Sequence, residues 1–240
     1  MAETTPEATM SIGGHLVELW TRLVWASSAL VLGSVVGFIF HQRILDWLEV
    51  PYESAVAKPL IFLRPTEAFS VAMRLSLFGG AILASPVIIY QVWRFVSPAL
   101  TKQERRYVVP LSLVLAVLFT GGVVLGYWSL ERGLSFLFGF GGESLEPFIQ
   151  AEAYLSFATR FILVFGLAFE FPVFMFAAAA AGVVGSRALR NNRRWAITSI
   201  VVIGAVITPS GDPLTLLLLS APLYILYEIT ILAIRFILKK

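Results

Sequence analysis

The chain has 240 residues, 58% of them hydrophobic and 14% charged, and its mean hydropathy is +0.83. A soluble domain of that length could not bury so much apolar surface, so composition places the chain in a membrane. The net charge of +3 comes in short blocks between apolar runs, as topology signals do, which argues against nucleic acid; zero cysteines and only two histidines leave no disulfide, thiolate nucleophile or basis for a His-rich metal site.

The first constellation is His15-Leu-Val-Glu18-Leu-Trp20-Thr-Arg22-Leu. At 100° per residue His15, Glu18 and Arg22 share one face of a helix and Leu16, Leu19, Trp20 and Leu23 another, so the segment reads as an interfacial helix with a polar stripe. Two uses fit the stripe: a Glu18–Arg22 pair worth a few tenths of a kcal/mol, or presentation of Glu18 to a basic ligand. Span one follows from Leu23 to Phe40. The next residues, FHQRIL, offer no small-residue cleavage site, so a retained span is expected and not a removed signal peptide. Residues 41–70, with Pro51, Pro59 and Pro65, read as a long external loop.

Span two, Val71 to Val96, carries Pro86 and runs into a basic loop where Glu104 sits among Arg94, Lys102, Arg105 and Arg106. Glu104 is the second candidate acceptor for a basic ligand. Span three covers Val108 to Leu130, and residues 131–153 form a second external loop. The spacings Gly33-xxx-Gly37 and Gly122-xxx-Gly126 predict close helix approach, within the chain first of all.

Span four, Phe157 to Val184, has 28 residues, about 42 Å if straight, and must tilt or bend, with Pro172 as the kink. Glu170 is the fourteenth of the 28. An ionisable group at that depth faces protein or a water-filled cavity; it is either a protonated group bonded to a carbonyl that Pro172 frees, or part of a polar concave face for partners or substrate. Span five, Ala196 to Ile207, has twelve residues, about 18 Å, and is re-entrant or a true span that thins the bilayer. Span six, Leu214 to Ile234, also reads as short, with thirteen uninterrupted residues before Tyr227 and Glu228. Asp212 precedes Pro213 and suits the helix cap.

Lys and Arg number three in loop 97–107, four in loop 186–195 and three from Arg235 onward, against three in 41–70, one in 131–153 and none in 208–213. The positive-inside rule then puts both termini in the cytoplasm. The expected fold is a single all-α membrane domain over 1–240: six transmembrane helices, N-in and C-in, a concave bundle with two short C-terminal spans.

Four phrases spread over the chain carry a family resemblance: HLVELWTRL; Pro86 to Arg105; Phe169-Glu170-Phe171-Pro172; and Thr208-Pro-Ser-Gly-Asp212, with PTEAF at Pro65 to Phe69 in addition. In this order they resemble TatC, the multi-span core subunit of the twin-arginine protein translocase. The resemblance implies a signal-peptide-binding surface of Glu18, Glu104, Phe95, Arg22 and Arg105, and an intramembrane polar or partner face of Glu170, Thr208 and Asp212. It further implies TatB-like and TatA-like single-span partners, a homo-oligomer within a larger complex, location in the inner membrane, and transport of folded proteins driven by the proton motive force, with no cofactor and no enzymatic step. Two departures stand out: Trp20 replaces the first basic residue of the family's ELRxR phrase, and Leu216 stands where relatives often carry a polar residue.

Physical chemistry supplies a mechanism for recognition. A guanidinium makes two parallel hydrogen bonds to a carboxylate and ammonium does not, so two carboxylates can tell an Arg pair from general basicity. The surrounding cations would orient them, and anionic lipid headgroups would neutralise part of the excess. A competing class is a proton- or ion-coupled secondary transporter using Glu170, although no two-half repeat is evident. No nucleotide motif is present, nor a Ser/Lys, paired-Asp or HExxH arrangement for an intramembrane hydrolase.

Overall fold

A computed structural model of the chain describes residues 12–56, 58–96, 108–139, 147–208 and 211–238. The described residues are almost wholly helical: α1 (Ile12–Ile39), α2 (His41–Val56), α3 (Glu67–Val96), α4 (Val108–Gly139), α5 (Ala151–Ala168), α6 (Phe171–Ala180), α7 (Ser186–Asn191), α8 (Arg193–Ile207) and α9 (Pro213–Ala233), the last running into a π turn at Ile234–Leu238. Five stretches are long and apolar enough to cross a membrane: Gly13–Ile39, Glu67–Phe95, Leu111–Gly139, Ala151–Ala180 and Pro213–Leu238.

Several expected boundaries move. The polar-striped segment is no separate interfacial helix but the first turns of α1. Residues 41–56, read as loop, form a helix despite Pro51. That proline cannot donate to the Trp47 carbonyl four residues back, and the Tyr127 hydroxyl donates to it instead at 3.0 Å. Tyr154 donates to Leu48 O at 2.6 Å, and the Trp47 and Tyr127 rings stack at 4.0 Å. Span six is not short, because Tyr227 and Glu228 lie inside one helix: Arg193 pairs with Glu228 at 2.6 Å and the Tyr224 hydroxyl donates to it at 3.0 Å. A neutralised carboxylate does not interrupt the helix. Among the expected spans only the one at α8 is short, 15 residues or about 22 Å.

Both glycine pairs pack helices within the chain. A Cβ on Gly33 would lie 2.7 Å from the Gly80 carbonyl oxygen, and one on Gly37 would collide with the Ser76 carbonyl, so α1 and α3 touch backbone to backbone. Likewise a Cβ on Gly122 would come within 2.9 Å of Gly166 Cα, bringing α4 against α5. Pro86 is tolerated inside α3 because Ser85 Oγ donates to Ile82 O at 2.8 Å, the acceptor that the proline leaves open.

The core centres on α5, whose Leu155, Phe161, Ile162 and Phe165 pack with Leu48 and Tyr52 of α2, Leu75 of α3, Leu130 of α4 and Leu219 of α9. The edges are α1, which packs on α3, and α8, which packs on α9. Only 6% of the most apolar window of α1 is buried, against 50% for Ala151–Ala180. Trp20 and Trp25 at one end of α1 and Trp47, Tyr127 and Trp128 near the other end of the bundle mark two aromatic belts. Trp20 to Ile39 covers about 28 Å of helix, the thickness of a hydrocarbon core.

Candidate functional site

At the N-terminal end of α1 the polar stripe forms as its spacing predicts. Arg22 Nη2 donates to Glu18 Oε1 at 3.1 Å, and its Nη1 donates across to Gln91 Oε1 of α3 at 3.4 Å. Arg22 therefore ties the carboxylate to a second helix, which the simple i, i+4 pair does not require. The second oxygen, Glu18 Oε2, has no hydrogen-bond partner among the described residues, although the side chain is only 15% exposed. One turn earlier, His15 stacks on Phe95 with ring centroids 4.4 Å apart.

The phrase Gln91-Val-Trp93-Arg-Phe95 splits its residues between two faces of α3. Gln91 and Phe95, four apart, turn to α1. Trp93, 2% exposed, turns the other way into a cluster with Leu115 of α4 and Val173 of α6. Trp93 fixes the rotation of α3 and thereby aims Gln91 and Phe95. Sequence reading missed Gln91; its place four residues before Phe95 was the available signal. Glu104 and Arg105 lie outside the described residues, in the segment that leaves α3 just beyond Phe95.

The second candidate centre is the break between α5 and α6. Glu170 is the N-cap of α6 with no side-chain capping bond, and Pro172 stands in that helix's first turn. Pro172 cannot donate to the Ala168 carbonyl, and the chain turns at Phe169 and Glu170 before restarting. Glu170 is 5% exposed, and neither carboxyl oxygen has a hydrogen-bond partner among the described residues. The bond to a freed helix carbonyl is therefore not formed. Burying such a group without a partner is costly, and an intramembrane carboxyl faces protein or a water-filled cavity.

Thr208 and Asp212 are engaged locally. Thr208 Oγ1 donates to Gly204 O at 2.7 Å, and Asp212 caps α9 by accepting from Thr215 N at 2.7 Å, with Pro213 first in the helix. They are 5% and 6% exposed. Leu216 rests on Gly204, its Cδ1 3.0 Å from where a Cβ would stand, so the apolar replacement fills the α8–α9 contact.

On the opposite side, PTEAF forms a knot that sequence reading did not assign. Glu67, 1% exposed, accepts from Leu63 N at 3.0 Å, Gln150 Nε2 at 2.9 Å and Glu152 N at 3.0 Å. Ile61 bridges Gln150 in parallel, and Glu152 pairs with Arg64 at 2.8 Å. The knot joins the segment before α3 to the start of α5. Among the described residues no group of His, Cys, Asp and Glu could hold a metal ion.

Known proteins share this arrangement. Residues 14–222 match the family described as Sec-independent protein translocase protein (TatC). The chain belongs to the TatC family. A relative from Carboxydothermus hydrogenoformans is 34% identical over 96% of this chain and 95% of its own length, and one from Aquifex aeolicus 38% identical over 92% and 93%. One from Frankia casuarinae is 36% identical over 95% of this chain but only 66% of its own length. A crystal structure of the twin-arginine translocase receptor TatC superposes with a TM-score of 0.80 at 37% identity, covering 92% of this chain and 99% of that one. Membership makes the chain an inner-membrane component of the Sec-independent translocase and a transport protein without enzymatic activity of its own.

Proposed function

We propose that the chain is the twin-arginine signal-peptide receptor of its translocase, with Glu18 and Glu104 as acceptors for the two guanidinium groups. The observation that carries this reading is the half-engaged Glu18 carboxylate: one oxygen is fixed by Arg22, which Gln91 holds from α3, and the other is buried with no hydrogen-bond partner among the described residues. A carboxylate already oriented loses little freedom when a guanidinium docks. The His15–Phe95 stack beside it offers an apolar face to the residues next to the arginines. Arg105 contributes to the field that orients Glu104.

This surface is cytoplasmic. Cations concentrate in 97–107, in 186–195 and from Arg235 onward, and α8 is the crossing that keeps all three on one side, which gives six spans with both termini inside. Exported folded precursors arrive there, and the chain recruits TatB-like and TatA-like single-span subunits within an oligomeric complex driven by the proton motive force. The unpartnered carboxyl of Glu170, together with Thr208 and Asp212, belongs to the intramembrane face that those partners or the substrate contact.

The test is a photo-crosslinker at position 102 of the full chain in membranes, challenged with a twin-arginine signal peptide and its Lys-Lys counterpart. Selective crosslinking of the Arg-Arg peptide supports the receptor. Equal crosslinking of the two removes it.

A further inference from the structure

We propose that a groove between α4, α6 and α9 on the basic side of the molecule binds one anionic phospholipid, with its acyl chain in the groove and its phosphate on Arg187, Arg190 and Arg235. The groove has a volume of about 240 Å³ and is walled by Leu111 and Val114 of α4, Phe176 of α6, and Ile229 and Ala233 of α9 among others, all apolar but Thr230. Thr230 does not make it polar, because its hydroxyl donates to Leu226 O at 2.8 Å.

Three arginines belong to the segments beside one end of the groove. Leu189 of α7 packs on the cluster of Phe176, Ala179 and Ile234, to which Leu111 and Ala233 also belong, so the groove wall and the base of α7 are the same residues. Arg187 and Arg190 flank Leu189, and Arg235 lies between the groove residues Ala233 and Ile237, in the π turn. All three arginines are exposed, and none forms an ion pair with a described residue. Glu228, the carboxylate on the neighbouring stretch of α9, is taken by Arg193 and Tyr224.

Charge selects the occupant. Basic pockets between membrane helices with an apolar interior are the recognised chemistry of anionic headgroups.

The experiment titrates the delipidated full chain in detergent with phosphatidylglycerol or with phosphatidylcholine of the same acyl chains, and reads bound lipid by native mass spectrometry. One phosphatidylglycerol should bind at least tenfold more tightly than phosphatidylcholine. Replacing Arg187, Arg190 and Arg235 together by Gln should erase that preference, at about fivefold per cation, and leave phosphatidylcholine unchanged. Ile229→Trp, at a half-exposed position (54%), should weaken both lipids severalfold, and Val114→Trp from the facing helix should do the same if the first variant unfolds. Undiminished phosphatidylglycerol binding in both Trp variants, or equal binding of the two lipids by the unaltered chain, overturns the proposal. So does a photo-crosslinker at Ile229 that captures a protein helix in membranes instead of lipid. Signal-peptide binding should survive every one of these variants.

Discussion

Glu18→Gln separates recognition from structure because the substitution keeps the shape of the side chain and removes its charge. In the structure Glu18 Oε1 is committed to Arg22 at 3.1 Å and Oε2 is buried without a partner among the described residues, so a guanidinium that reaches it adds a charge-assisted hydrogen bond without breaking an existing one. Such a bond contributes about 1.5–3 kcal/mol, or about 10- to 150-fold in Kd. The competing loss is the internal Glu18–Arg22 pair, worth about 0.3–0.5 kcal/mol, and it falls equally on any peptide. A double-mutant cycle isolates the difference: the unaltered chain and Glu18→Gln, each titrated by fluorescence anisotropy with a labelled Arg-Arg signal peptide and its Lys-Lys variant. The preference for Arg-Arg should shrink by about 1 kcal/mol or more in the variant. A preference unchanged within about 0.3 kcal/mol would show that Glu18 only staples α1, and the receptor assignment at this residue would be wrong.

Other perturbations address the rest of the molecule. Glu67→Ala removes the acceptor of three buried donors, so proteolysis within residues 58–66 should speed on the order of tenfold; an unchanged cleavage rate would mean that the knot forms without it. Glu170→Gln should fold, bind signal peptide normally and lower transport into inverted vesicles by about tenfold or more, since the amide cannot ionise. Full transport by Glu170→Leu would leave that carboxyl without a role. Adding one helical turn of Leu to α8, about 5.4 Å, should relieve the mismatch with the bilayer and cut transport severalfold while peptide binding holds within twofold; undiminished transport would make its shortness incidental.

What the sequence showed and hid follows from the range of the interactions. Charge blocks and apolar runs are local; the apolar runs located the five long helices, and the four phrases located the family. The cap at Asp212 was legible too, because a cap needs only its own first turn. Helix α2 was not, because Pro51 at its centre reads as a breaker unless a donor comes from elsewhere, and the donor Tyr127 lies 80 residues away. Glu67 was hidden in the same way, since two of its donors stand 83 and 85 residues on. The apparent end of span six was an error of the same kind: Glu228 ends an apolar run in the sequence, but Arg193, 35 residues earlier, neutralises it.

The position of the receptor surface relative to the core has a mechanical consequence. Glu18 stands on α1, an edge helix with little of its apolar face buried, yet its orientation is not loose, because the Gly33 and Gly37 contacts bring α1 against the backbone of α3 and Arg22 reaches Gln91. Trp93 in turn seats α3 on Val173 of α6, three residues beyond Glu170. Packed cores transmit displacement because they do not compress. A pull on Glu18 by the proposed arginine pair would therefore have a continuous packed route through Arg22, Gln91, α3, Trp93 and Val173 to the break where Glu170 is buried without a partner. Trp93→Ala would cut that route by opening a cavity. If the coupling runs through it, this variant keeps Arg-Arg peptide affinity but no longer changes hydrogen exchange at residues 169–172 when peptide binds. Persistence of the exchange response would mean that the two centres communicate by another path or not at all.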